Sequence, residues 1–184
     1  MRISERQIDI SIGVLWDPYR WLIGSATLVG IDERESELIE NIIKRFQNTE
    51  TRPIIAVGLA SHENSENPGQ EEFRANARAD KLVALCQSHF IAKPEIYKLN
   101  LGVHKNTGLT SVESATERRV ILLVITKREN DTDLDSGVRN ALIEAKNNWE
   151  LEFDPNAYSN FSPEKFHVGV KTPIINTQPN AVTR

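Results

Sequence analysis

Two stretches of this chain have no polar face: Ile54-Ile55-Ala56-Val57-Gly58-Leu59-Ala60 and Val120-Ile121-Leu122-Leu123-Val124-Ile125. A half-buried strand alternates apolar and polar residues, because successive side chains point to opposite sides of the sheet. Neither run alternates, so each is expected to be a central strand covered on both faces.

The flanking segments indicate how such strands are joined. Ile8, Ile10, Ile12 and Val14 alternate with Asp9, Ser11 and Gly13, the pattern of a half-buried strand added at the N-terminal side. Trp16-Asp17-Pro18-Tyr19-Arg20-Trp21 reads as a turn carrying aromatic mass. Aromatics beside a turn more often cap a core edge than form an exposed contact patch, so the core reading is the expected one here, with the tryptophans kept as candidates for a partner surface. Ala26 to Ile31 suits a first core strand. Leu38, Ile39, Ile42, Ile43 and Phe46 fall on one face of an amphipathic helix, with Glu35, Glu37 and Glu40 at its start and Lys44 and Arg45 near its end, as the helix dipole favours. Pro53 ends that segment.

After the first apolar run, Ser61 to Gln70 is rich in turn residues. A second helix follows with an apolar stripe of Ala75, Ala79, Leu82, Val83, Cys86 and Phe90, in which Cys86 acts as a small hydrophobe. Ile96, Leu99 and Leu101 mark a strand ending at Gly102, and a polar connection leads to the second apolar run. Lys127 to Asp135 is a charged linker, and Leu134, Val138, Ala141, Leu142, Ala145 and Trp149 mark a third helix with Thr132 or Asp133 as N-cap. Its apolar stripe fits a surface of this domain or of another chain equally well. The remainder, with Asp154-Pro155, Ser162-Pro163, Thr172-Pro173 and Gln178-Pro179, reads as irregular. The expected fold is an α+β sandwich of order β-α-β-α-β-β: a small mixed sheet with helices on one face, plus an N-terminal strand and a C-terminal helix.

Charge narrows the function. A net charge of -4 gives no clustered excess of Lys and Arg for binding phosphates, so nucleic acid is not an expected partner. The lone Cys86 forms no internal disulfide. Val14 to Ile31 is interrupted by Asp17, Pro18 and Arg20, too polar for a membrane helix, and the N-terminus shows no secretory h-region; a cytoplasmic protein without membrane insertion is expected. His62, His89, His104 and His167 lack zinc-ligand spacing, and Ser61-His62 is not set in a Gly-x-Ser-x-Gly elbow. Glycine-rich phosphate loops are absent too. No enzyme activity, metal or cofactor is expected.

The order of strand, loop, helix, strand and Arg-Arg-led strand resembles the OmpA-like domain, the wall-binding module of outer-membrane porins, peptidoglycan-associated lipoproteins and flagellar stator proteins. The resemblance covers about residues 26–126. It implies an N-terminal extension over 1–25, an OmpA-like domain over 26–127, a linker and helix over 128–150 and an irregular tail over 151–184. In that family an Asp after the second strand and an Arg in the following helix grip the zwitterion of diaminopimelate in the peptidoglycan stem peptide. Arg78, in Arg78-Ala79, matches the helix arginine, and Arg118 and Arg119 match the Arg-Arg of the last strand, with Glu117 in place of the usual Asn or Asp. Ser61 stands where the aspartate belongs. A hydroxyl cannot neutralise an ammonium, and charge-assisted hydrogen bonds are about twice as strong as neutral ones.

That substitution leads to the expectation of a non-catalytic module that recognises another protein, alone or in a larger complex. Its contact regions are Trp16 and Trp21 in the turn, His62, Glu63 and Asn64 in the loop, and Trp149 at the end of the third helix. The alternative is a periplasmic module that binds the peptidoglycan stem peptide through Ser61, Arg78, Arg118 and Arg119.

Overall fold

The computed structural model describes residues 10–16, 21, 52–62, 68–89, 94–106, 117–148, 150–151 and 153–171. These form β1 (Ile10–Trp16), β2 (Ile54–Ala60), α1 (Pro68–His89), β3 (Ile96–Val103), β4 (Ile121–Arg128), α2 (Leu134–Asn147), a 3-10 turn (Pro155–Ala157) and β5 (Val168–Lys171). The strands make one mixed sheet in the order β1-β4-β2-β3-β5. Only β2 and β3 are parallel, and α1 supplies the crossover that a parallel pair requires. The fold is of the α+β class.

β2 is buried at all seven positions. Ile55, Val57 and Leu59 face a layer built from α2 and residues 151–168, while Ile54 and Ala56 face α1. β4 divides in the same way: Ile121, Leu123 and Ile125 point to the α2 layer, Leu122 and Val124 to the α1 layer. Fully burying one aliphatic side chain contributes about 1.5–3 kcal/mol, more than the net 0.5–1.5 kcal/mol of a typical hydrogen bond. Two-sided apolar burial therefore dominates β2 and the first five residues of β4, and it leaves no position there for a polar residue.

α1 buries Ala75, Ala79, Leu82, Val83 and Cys86 as its stripe implies, together with Leu85. The thiol of Cys86 is pushed up to about 12 by that burial. Gly58 lets α1 sit close to the sheet: a Cβ there would lie 2.0 Å from the carbonyl oxygen of Ala75. α2 starts at Asp133, whose side chain accepts a hydrogen bond from the Ser136 amide at 2.9 Å, so its carboxyl titrates below the usual range. This helix docks on the opposite face from α1, through Val138, Ala141, Leu142 and Ala145. It passes so near β1 that a Cβ on Gly137 would lie 2.6 Å from Ile10 Cδ1.

β1, Ile10–Trp16, runs two residues past the expected end at Val14 and pairs antiparallel with β4, while residues 8 and 9 lie outside the described residues. The expected strand at 26–31 and helix at 35–46 lie outside the described residues. The expectation of an irregular tail is corrected between 151 and 171. Val168–Lys171 pairs with β3 as β5, and Leu151, Phe153, Tyr158, Phe161, Phe166 and Val168 belong to the α2-side core. A four-residue strand is too short to show a period, and its aromatic neighbours lie among prolines, so only the available sheet face reveals their role.

Gly58→Ala is expected to lower the stability of the full chain by about 3 kcal/mol, because the helix backbone has to move. Phe166→Ala is expected to lower it by about 3–5 kcal/mol, as for a core aromatic. Both are read from urea midpoints, and a near-neutral Phe166→Ala would remove residues 151–171 from the core.

Candidate functional site at the polar end of the sheet

The strand directions bring the carboxyl ends of β1, β2 and β3 and the start of β4 to one end of the sheet. Ser61 and His62 follow β2, His104 follows β3, and Glu117, Arg118 and Arg119 precede β4. α1 begins at this end, carrying Glu71, Arg74 and Arg78 in its first three turns. The buried polar and charged side chains among the described residues are Ser61, Glu71, Arg78, Glu117, Arg118, Arg119 and Asn160, and all of them gather here.

Burial of charge is costly unless it is paired and hydrogen-bonded. Arg78 is 0% exposed; its Nη1 donates to the Leu59 carbonyl at 2.9 Å, and its guanidinium carbon lies 5.7 Å from the ring centre of Trp21. A guanidinium over an indole face is attracted by the ring quadrupole. Trp21 is anchored in turn, since its amide donates to Arg118 O at 2.8 Å and Arg118 Nε donates back to Trp21 O at 3.1 Å. Arg74 pairs with the buried Glu71. Asn160 Nδ2 reaches Glu72 Oε1 at 3.4 Å, linking the segment after α2 to the start of α1.

On the α2 side, His104 Nδ1 lies 3.0 Å from Glu117 Oε1. Tyr158 packs its ring edgewise on His104 with centres 5.2 Å apart, and its hydroxyl donates to the Glu117 carbonyl at 3.3 Å. Burial pushes the Glu117 carboxyl up to about 7, against the pull of Arg118. Burial also lowers His104, with Asp154 opposing that shift and Lys105 adding to it.

The structure thus brings Ser61, Arg78, Arg118 and Arg119 to one end of the sheet and encloses all four. Trp21 is 1% exposed, so it caps the core and presents no contact patch. His62 is half-buried, and Trp16 lies in β1 with its side chain outside the described residues. Glu63, Asn64 and Trp149 lie outside them as well. The contact between Glu117 and His104 is not among the expectations from sequence, where His104 lacks zinc-ligand spacing and Glu117 stands only beside the Arg-Arg pair. No local pattern pairs them, since Glu117 stands three residues before Val120 and thirteen after His104. No group of three His, Cys, Asp or Glu among the described residues is arranged to hold a metal ion, and no described helix is long and apolar enough to cross a membrane. Comparison with protein-family models, curated proteins and solved structures finds no match.

Arg78→Ala is expected to cost about 3–5 kcal/mol, the range for removing one partner from a buried charged contact. Arg78→Lys is expected to recover only part of that loss, because a point ammonium lacks the planar fork that stacks on Trp21 while reaching Leu59. Urea midpoints of the two variants against the native chain provide the check.

Proposed function

We propose that this chain is a non-catalytic binding module on an OmpA-like scaffold and that its partner is another protein. The observation that carries the reading is the enclosure of Arg78. In the wall-binding chemistry that guanidinium grips a carboxylate of the ligand; here it is fully buried, bonded to Leu59 and laid over Trp21. Ser61, in place of the ligand aspartate, is enclosed as well, which also withdraws its hydroxyl from any substrate.

The same stretch of α1 that buries Arg78 presents Phe73 at 72% exposure. Exposed aromatic side chains are favoured anchors at protein interfaces, because they bury much area for little lost rotamer freedom. Phe73 replaces Trp21 as the aromatic contact candidate.

A second reading, binding of the peptidoglycan stem peptide, is favoured by one observation: Ser61, Arg78, Arg118 and Arg119 converge on one end of the sheet. Calorimetry of the full chain with a diaminopimelate-containing stem peptide separates the two. The protein-partner reading expects no heat from the native chain, and saturable binding would replace it with the wall reading. Phe73→Asp is expected to change stability by less than about 0.5 kcal/mol, as for an exposed site. It is expected to abolish in-cell crosslinking from a photoreactive residue at position 77 to a discrete protein; undiminished crosslinking removes Phe73 from the interface.

A further inference from the structure

His104 and Glu117 join three parts of the fold. The His104 amide donates to Ala60 O at 2.8 Å, tying the end of β3 to the end of β2. The segment after α2 lies alongside: Lys105 N donates to Ala157 O at 2.8 Å, and Ser159 N donates to Val103 O at 2.9 Å. Glu117 closes the arrangement from the start of β4, through His104 Nδ1 and the Tyr158 hydroxyl.

The geometry locates a proton. His104 Nδ1 receives the Asn106 amide at 3.2 Å, so it presents its lone pair. Glu117 Oε1, 3.0 Å from the same nitrogen, then has to be the donor, because a carboxylate oxygen facing a lone pair is repelled. Glu117 Oε2 is enclosed with no hydrogen-bond partner among the described residues, which penalises the charged carboxylate more than the neutral acid.

We propose that Glu117 and His104 form a proton-operated latch: a neutral Glu117 carboxyl donating to His104 Nδ1 fastens the start of β4 to the end of β3 and the 154–160 segment, and loss of that proton loosens them. Two arrangements remain once the proton leaves. In one the carboxylate confronts the ring lone pair. In the other the ring proton moves to Nδ1, which restores the contact with Glu117 and expels the Asn106 amide. Each lacks a bond that the protonated form holds.

The groups facing the pair are Lys105 beside His104, Asp154 and Tyr158 on the segment after α2, and Arg118 beside Glu117. Arg118 favours the carboxylate and Asp154 the imidazolium, but burial outweighs both. A carboxyl raised from 4.5 to about 7 contributes stability that is complete below 4.5 and is lost as pH rises through 7. A lowered imidazole has the opposite sense: its contribution is present above 6.5 and is lost as pH falls through its folded value. The neutral pair is therefore held most firmly in mildly acidic solution and released above neutrality. What it releases is the end of the sheet that carries Ser61, Arg118 and Arg119.

The test uses the full chain labelled with carboxyl-¹³C glutamate, titrated from about pH 5 to 9. The expected result is a Glu117 carboxyl that titrates near 7. Amide exchange at Lys105 and Ser159, corrected for intrinsic base catalysis, is expected to lose protection over the same range. Glu117→Gln, whose side-chain amide donates to Nδ1 as the acid does, is expected to keep that protection. Between about pH 6 and 8.5 the unfolding constant of the native chain is expected to rise roughly tenfold relative to Glu117→Gln. A Glu117 carboxyl that titrates near 4.5, or protection at Lys105 and Ser159 that is unchanged by pH in the native chain, overturns the latch. Both of these readouts come from the native chain and decide the matter even if Glu117→Gln fails to fold.

Discussion

Everything in this fold answers to the absence of a polar face on β2. A strand apolar on both sides is stable only between two layers, so α1 on one face and α2 with residues 151–168 on the other are equally required. The helix and the irregular segment after β4, which resemble appendages when taken alone, complete the second layer. Among the described residues, β1 and β5 are the outermost strands of the sheet.

Such a core excludes polar groups from its layers and gathers them where the strands end. There the last carbonyls of β2 and β3 need donors: Arg78 from α1 supplies Leu59 O, the His104 amide supplies Ala60 O, and the amides of Ser159 and Asn160 supply Val103 O and Leu101 O. Arg78 bonded to Leu59 O is the clearest case. Arg78, enclosed, ties α1 to the end of β2. Glu117 and His104 differ from these groups, because their contact depends on one proton and lies against Tyr158 of the 154–160 segment.

Much of this was legible in the residues. The α1 and α2 stripes, the Asp133 cap and the buried strands follow from local periodicity, which depends only on neighbouring side chains. β5 was not legible: Val168, Gly169 and Val170 are too few to show a period, and the pairing that defines them lies about 70 residues away on β3. For the same reason, nothing local to His104, Glu117 or Tyr158 announces their contact, since strand order alone brings them together.

By itself the sequence determined that β2 and β4 are covered on both faces, that α1 and α2 form, and that no internal disulfide staples the chain, because these follow from side-chain chemistry and spacing. Tertiary structure alone decided which face α2 covers, that the 151–171 segment belongs to the core, and that Arg78 and Trp21 are enclosed. Those outcomes depend on which surfaces are left unfilled once the strands have paired, and unfilled space is a property of the assembled sheet that no stretch of chain carries.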